Sequence, residues 1–300
     1  MSSAPFGFLN INKPAGITAH DVVARVRKAI RVKQVGHAGT LDPMATGVLP
    51  VAVGKACRLL RFLSGGKVYL AEILIGQQTD TDDIEGKVVA TCDLQPPLEA
   101  ISGALLSFKG RQMQVPPKYS AIHIDGQRLY DLARQGKAPD NIPAREVNIE
   151  QIEALAIDFP VVRARIACSA GTYIRSIARD LGEKLQTYAC LKSLSREAAG
   201  PFKLMSAINL SDLEKTAKEG DWLPLLVSPQ SVLDLDDVKL DEHQARLIRL
   251  GQSVLVETAG PPQNLVMALC HDELVAVCRC ASETNGTFVR IQPEVVIANG

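Results

Sequence analysis

The chain contains no apolar run of the roughly eighteen residues that a membrane span requires. The segment MSSAPFGFLNINKPAG lacks both the basic start and the long apolar stretch of a signal peptide. A cytoplasmic protein is expected. There is no C-x-x-C pair: the seven cysteines, Cys57, Cys92, Cys168, Cys190, Cys270, Cys278 and Cys280, are scattered and odd in number, so no disulfide framework is laid out. Buried free thiols fit the burial preference of cysteine, and Cys278 and Cys280, one residue apart, fall on the same face of a strand. The five histidines, at 20, 37, 123, 243 and 271, are dispersed and show no zinc spacing. Net charge is absent too, which by itself argues against a nucleic-acid partner. Internal repeats and low-complexity tracts are not found.

What is present is 300 residues with 46% apolar and 22% charged side chains, enough for a large catalytic domain with a small appendage. The charge is unevenly spread. Residues 1–67 carry ten Lys or Arg against only Asp21 and Asp42, residues 68–229 carry 18 basic and 21 acidic groups, and 230–300 carry 5 and 10. A basic N-terminal segment on a neutral chain suggests a local polyanion contact; a solvated helix face accounts for the same charges.

After the short extended stretch FGFLNINKP and a turn at Pro14–Gly16, a helix is expected, with Thr18 as N-cap and Asp21 three residues on. Val22, Val23, Val26, Ala29 and Ile30 form its apolar stripe, and Arg25, Arg27, Lys28 and Arg31 its exposed side. The run VGHAGTLDPMATGVLPVAVGKA reads as a Gly- and Thr-rich loop. Strands are expected at 68–75, 86–90 and 161–168, and helices near 98–107 and after SAGTY, where Ile174, Ile177, Ala178, Leu181 and Leu185 share a stripe. Strands and helices without strict alternation imply an α+β fold with a mixed or antiparallel sheet. The Pro-bearing, uncharged PLLVSPQSV marks a boundary, dividing residues 1–229 from 230–300, a small β-rich tail with one helix ending at Gly251.

Two ligand-loop motifs fail. GVLPVAVGKA has too long a gap between Gly47 and Gly54–Lys55 for a phosphate loop, and Lys55 precedes Ala56. Asp80, Asp82, Asp83 and Glu85 have Ile84 at a ligand position and Glu85 where a calcium loop needs glycine. No Ser or Cys has a neighbouring motif that marks a nucleophile. There remains Asp42 in GHAGTLDPMATG, an isolated carboxylate amid basic neighbours, which such neighbours keep ionised. On turn statistics alone, Asp42–Pro43 is more often a turn initiator than a catalyst.

The strings LNINKPAGITAHDVV, HAGTLDPMATGVLPVAVGKA, KVYLAEILIGQQTDTDDIEG, VPPKYSAIHIDGQRLYDLARQG and SAGTYIRSIARDLGEKL, with Leu194–Arg196, resemble the bacterial tRNA pseudouridine-55 synthase family, in the family's order over residues 6–200. The resemblance implies a mixed-sheet catalytic domain and isomerisation of uridine-55 in the T loop of tRNA. It also implies that no cofactor or metal is required. Asp42 matches the catalytic aspartate, acting as nucleophile or base. Tyr69 matches the tyrosine stacked on the target base, and Arg175 the arginine that pairs with the aspartate. Tyr173 and Leu194 match residues of the base pocket, and His37 a histidine that fills the gap left by the flipped base. Lys13 matches a lysine near the cleft, holding structure or touching phosphate. Each has a plainer reading: core or rim for Tyr69, an exposed helix charge for Arg175, core packing for Tyr173 and Leu194, an exposed loop for His37.

The tail, closing on FVRIQPEVVI, resembles the PUA-like RNA-binding domain often attached to these enzymes, although it is acidic. Free tRNA, bound at its T arm, is the expected partner, with no membrane and no obligatory protein partner. A tRNA-binding folding chaperone is the alternative. A subunit guided by a second RNA fits less well, because neither end carries a long basic extension.

Overall fold

The computed structural model describes residues 5–120, 122–124, 126–137, 139, 141–258, 263–285 and 288–297. Strand β1 (Gly7–Lys13) leads into helix α1 (Ala19–Ile30), and the short β2 (Val35–His37) precedes β3 (Thr46–Val53). A 3-10 helix over 54–62 leads to β4 (Lys67–Ile75) and the small hairpin β5 (Gln77–Thr79) and β6 (Val88–Thr91). Helix α2 (Leu98–Leu106), strand β7 (Gly110–Gln114), the two-residue strands β8 (His123–Ile124) and β9 (Gln127–Arg128), and helix α3 (Leu129–Arg134) follow. Then come β10 (Arg145–Asp158), β11 (Val161–Cys168), α4 (Ile174–Lys184) and β12 (Ala189–Ala199). β13 (Phe202–Lys203), β14 (Ile208–Asn209) and α5 (Leu210–Glu219) close this part. The tail contains β15 (Asp236–Lys239), α6 (Glu242–Arg249), β16 (Val254–Glu257), β17 (Leu265–Cys270), β18 (Glu273–Asn285) and β19 (Phe288–Val296).

The first sheet runs β14-β1-β3-β12-β4-β11-β10-β7, with β2 on β3 and β13 on β12. Its pairs are antiparallel except β1–β14 and β3–β12, so the α+β mixed sheet expected from the sequence is the observed one. The tail forms a second sheet, β15-β17-β18-β19-β16, carrying α6 against Val238, Val266 and Cys278. No helix among the described residues is long and apolar enough to cross a membrane.

Local chemistry explains the helices. Thr18 Oγ1 accepts from Asp21 N at 3.1 Å and the Asp21 carboxylate accepts from Thr18 N at 2.9 Å, a reciprocal cap that satisfies donors the first turn would otherwise leave orphaned. Val22, Val23, Val26 and Ile30 are buried along one stripe of α1. In α4 the buried stripe is Ile174, Ile177, Ala178 and Leu181, packed with Ile73 and Ile166 of the sheet.

Two regions differ from what the sequence suggests. The Gly-rich run after α1 is a loop only over 38–45; residues 46–53 form a strand, nearly all buried. Gly47, Pro50 and Gly54 disguise it as loop, but an apolar run covered on both faces gains more from burial than those residues cost. Strand β12, central in the sheet, is not evident from the sequence either, because its charged and small residues show no clean alternation. The cysteines also divide: Cys168, Cys190, Cys270 and Cys278 are buried, whereas Cys57, Cys92 and Cys280 are half-buried.

The stretch marked as a boundary is fastened at both ends. Phe8 and Val227 exchange backbone hydrogen bonds of 2.9 and 2.7 Å. One apolar cluster runs through both sheets, joining Phe8, Val48, Ala52, Leu59 and Phe202 to Leu233, Leu274, Val277 and Val295.

Candidate active site

The loop 38–45 is held from below. Lys13, at the end of β1, is fully buried, and its Nζ donates to the carbonyls of Pro14, Pro43 and Ala45 at 2.8, 3.1 and 2.7 Å. Burial brings its pKa down to about 8, with Asp42 and Glu85 pulling the other way. All three of its N–H donors are occupied by the backbone, so of the two roles implied for Lys13 the geometry fits holding the loop, and the placement of Lys13 among substrate-binding groups is corrected. Ala45 N donates to Asp42 O at 3.1 Å, so Asp42–Pro43 does start a turn, and the turn aims the carboxylate.

Arg196 of β12 holds the same loop from the side. It too is fully buried. Its Nε donates to Val48 O at 2.7 Å and its terminal nitrogens to Gly39 O at 3.1 Å and Thr40 O at 3.4 Å. The parallel pairing of Arg196 with Gly47 brings these groups together. At Gly47, φ is +102° and a side chain would run into the Arg196 backbone, so only glycine allows that approach. In the sequence Arg196 belongs to a recognised motif, but nothing there assigns it this role. We predict that Arg196→Met, which orphans three carbonyls, costs about 2–4 kcal/mol and lowers the melting temperature by about 5–10 °C. Turnover should fall with loop order. A melting curve matching wild type would show that Arg196 does not hold the loop.

Asp42 meets Arg175 from the first turn of α4. Arg175 Nε donates to Asp42 Oδ2 at 2.9 Å and Nη2 to Oδ1 at 3.0 Å, a two-pronged pair that fixes the position of the carboxylate. The guanidinium is 5% exposed and the carboxylate 30%, so the cation lies behind and the anion faces out. The other Arg175 donors reach Thr81 O at 3.0 Å and Tyr119 O at 2.9 Å, and Asp83 Oδ2 lies 3.6 Å from Nη1. The exposed-helix reading of Arg175 is thus overturned by its burial among acceptors.

The acidic turn before β6 supplies this support. Asp83 accepts from Thr81 Oγ1 at 2.7 Å and Glu85 N at 3.1 Å, and Asp82 pairs with Arg179 at 3.1 Å. Burial pushes both carboxyls up from their ordinary range; Arg179 draws Asp82 back, and Thr81 and Arg175 draw Asp83 back. Another anchor is Gln114. Its side-chain amide accepts from Tyr173 N at 2.8 Å and donates to Tyr173 O at 3.1 Å, setting the start of α4 and hence Arg175. Nothing in the sequence marks Gln114, because its partner is 59 residues away.

A cleft of about 690 Å³ opens over the pair. Asp42, Arg175, Tyr69, Tyr173, Leu194 and His37 all line it; of the seven residues singled out in the sequence, only Lys13 lies beneath it. Tyr69 is buried on β4, and burial raises its phenol pKa, so the hydroxyl stays protonated. His37 is half-buried on β2, not on an exposed loop. Burial lowers its pKa, with Arg196 and His20 acting in the same sense. A neutral, planar ring beside the cleft can stack without carrying charge. Lys67, unremarked in the sequence, is also in the wall, where burial lowers its pKa. The cleft thus combines two tyrosines with a carboxylate, an apolar and aromatic lining with one charged group.

The family model for TruB family pseudouridylate synthase (N terminal domain) matches residues 27–174. The chain is 48% identical to the tRNA pseudouridine synthase B of Gloeobacter violaceus, over 85% of this chain and 88% of that one. It is 43% identical to the enzyme of the same name from Dehalococcoides mccartyi, over 96% and 98%. Among solved structures, a Cbf5-Nop10-Gar1 complex matches with TM-score 0.74 at 27% identity, over 97% of this chain and 85% of that one. An H/ACA RNP bound to a substrate RNA containing 2'-deoxyuridine matches with TM-score 0.72 at 26% identity, over 98% and 86%. Relatives this similar along nearly the whole length settle what the cleft and its paired carboxylate suggest: the chain belongs to the tRNA pseudouridine synthase B family of pseudouridylate synthases.

Proposed function

We propose that this protein converts uridine-55 in the T loop of tRNA to pseudouridine, with the target base turned out of its stack into the cleft above Asp42. The observation that carries this reading is the half-exposed Asp42 carboxylate, locked by a buried arginine and faced by Tyr69, Tyr173 and Leu194. In the reaction the bond from ribose C1′ to uracil N1 breaks, the base rotates, and C1′ joins C5. The hydrogen leaves C5 and N1 ends protonated, so product and substrate are isomers. Asp42 acts as nucleophile at C1′ or as the base that moves the C5 proton. Arg175 keeps it aimed. Tyr69 stacks on the uracil, Tyr173 and Leu194 enclose it, and His37 fills the gap in the RNA, offsetting part of the few kcal/mol that flipping costs. Release of label from C5-tritiated uridine in a purified transcript, with chelator present, tests the chemistry. A transcript with the T-loop uridine replaced by cytidine should release no label.

A tRNA-folding chaperone would use the same cleft as a clamp, but the two-pronged pairing of Asp42 favours catalysis. A clamp for RNA gains nothing from a carboxylate at its centre.

The RNA surface is narrower than the charge count suggests. Arg25 forms a two-pronged pair with Glu214 of α5 at 2.8 and 2.9 Å, and Arg27 donates to the carbonyls of Lys33 and Val35 at 3.0 and 3.3 Å. Those two arginines fasten the fold. Lys28 and Arg31 are exposed. We expect the double change Lys28→Gln and Arg31→Asn to flatten the log–log salt dependence of tRNA binding by about 0.7 to 0.9 for each phosphate that is no longer neutralised. Arg25→Gln should leave that slope alone and lower the melting temperature. An unchanged slope in the double variant would place the phosphate-binding groups on another face.

A further inference from the structure

Outside the cleft, the tail brings together three side chains that the sequence keeps apart. Glu242 stands in the first turn of α6, Cys270 ends β17, and His271 opens the turn into β18. His271 Nδ1 lies 3.4 Å from Glu242 Oε1 and 3.9 Å from Cys270 Sγ, and the three ligand atoms fall within 4.8 Å of one another. We propose that Glu242, Cys270 and His271 form a binding site for one divalent cation of the zinc type, with solvent completing the tetrahedron.

The spacing fits. With metal–ligand distances of about 2.0–2.1 Å to nitrogen, 2.3 Å to sulfur and 2.0–2.2 Å to oxygen, a tetrahedral ion separates N from O by about 3.4 Å and N from S by about 3.6 Å. The two separations from the imidazole nitrogen are within a few tenths of an ångström of these; the sulfur and the carboxylate oxygen lie within 4.8 Å of each other, and the exposed Glu242 side chain closes that gap toward the tetrahedral value of about 3.6 Å. The 3.4 Å gap is also longer than the roughly 2.7–3.2 Å of an N–H···O bond, so the pair is spaced for an ion between its members more than for a direct bond. One imidazole, one thiolate and one carboxylate select a zinc-type cation over magnesium or calcium, which take oxygen ligands.

The turn itself is built at a cost. Cys270 and Glu273 pair across a two-residue connection in which His271 and Asp272 both have positive φ, 50° and 60°. Such turns ordinarily take Asn-Gly, and two successive non-glycine residues in left-handed backbone carry a cost. Gln230 Nε2, from the segment linking the two sheets, donates to Asp272 O at 2.9 Å and pins the turn. His271 and Glu242 are 78% and 71% exposed, which leaves an approach from solvent. Cys270 is buried among Val238, Leu240 and Ile248, a soft ligand at the back wall. Asp241 and Glu273 flank the triad in sequence and add to its attraction for a cation; Lys239, 3.9 Å from Asp272, opposes it.

Sulfur binds the metal as thiolate, so binding releases the Cys270 proton to solvent and affinity falls as pH is lowered. Bound metal would tie the start of α6 to the β17–β18 turn.

The test uses the untagged full chain, stripped with chelator and titrated with Co²⁺, then with Zn²⁺ in competition. One equivalent should bind with a thiolate-to-cobalt charge-transfer band, and saturating Zn²⁺ should raise the melting temperature. Cys270→Ser should abolish the band. His271→Asn, an exposed change that suits the turn, should weaken binding at least about tenfold, on the scale that site perturbations show, and erase the Zn²⁺-dependent rise in melting temperature. His243→Ala and Cys57→Ala should bind as wild type does. Failure of the wild type to form a one-to-one complex would overturn the proposal. So would unchanged affinity in a folded His271→Asn.

Discussion

Asp42→Asn should retain the fold and tRNA binding while turnover falls by several orders of magnitude. The amide is nearly the same size as the carboxylate, but it can neither attack C1′ nor accept the C5 proton, so transition-state stabilisation is lost and affinity is not. The structure adds an expectation about stability. Arg175 loses its two-pronged acceptor, and the new amide directs an N–H at a guanidinium. Breaking a fully buried pair costs about 3–5 kcal/mol. Here the carboxylate is 30% exposed and Arg175 keeps the carbonyls of Thr81 and Tyr119, so a loss of about 1–2 kcal/mol is expected. Binding of tRNA should hold or tighten, because one negative charge near the phosphates is gone. Asp80→Asn is the control. Its carboxylate is exposed and accepts from Lys87 N at 2.8 Å, away from the cleft. Tritium release at saturating tRNA, with a binding titration at fixed salt, makes the comparison. Turnover in Asp42→Asn within about tenfold of wild type, worth only about 1.4 kcal/mol of barrier, would remove Asp42 from the chemistry.

Deleting residues 233–300 should destabilise the remainder severely. From the sequence, with every recognised motif before residue 200, one expects a catalytic unit that folds alone and merely binds tRNA more weakly. The shared apolar cluster changes that expectation. Leu233, Leu274, Val277 and Val295 pack with Phe8, Val48, Leu59 and Phe202. Two polar ties cross the same seam: Arg58 Nη1 donates to Val296 O at 2.7 Å, and Arg61 meets Glu294 at 3.1 Å. Each large apolar side chain stripped of its partners forfeits about 1.5–3 kcal/mol, so losing several exceeds a typical margin of about 5–15 kcal/mol or consumes much of it. A fragment of residues 1–232 should melt at least about 10 °C below the full chain and bind a dye for exposed apolar surface. Leu274→Ala in the full chain should cost about 2–5 kcal/mol, although it lies far along the sequence from every catalytic motif. A fragment that melts with the full chain, and turns over at saturating tRNA, would restore the separable unit.

Local chemistry is legible in the sequence wherever its cause is local. The cap at Thr18 and Asp21, the stripes of α1 and α4, and the strand at 161–168 follow from residues within a turn or two of one another, and they stand where the sequence puts them. So does the composition of the cleft: six of the seven residues that the family resemblance singles out line it. What the sequence could not supply was which side chains hold the cleft in shape. Arg196 and Lys13 carry charges that would ordinarily be assigned to water, yet both are fully buried and spent on backbone carbonyls of the loop 38–45 and its flanks. Gln114 fastens a helix 59 residues away. Glu242 and His271 stand close only because a hairpin turn meets the start of α6. The boundary near residue 230 shows the same division: composition suggests a break there, but only the packing shows that the sheets on either side share an apolar interior. Capping, periodicity and turn preference act over a few residues and can be read in order. The partners of a buried charge and the far wall of a core are set by strands that meet across the whole chain, and only the folded structure decides them.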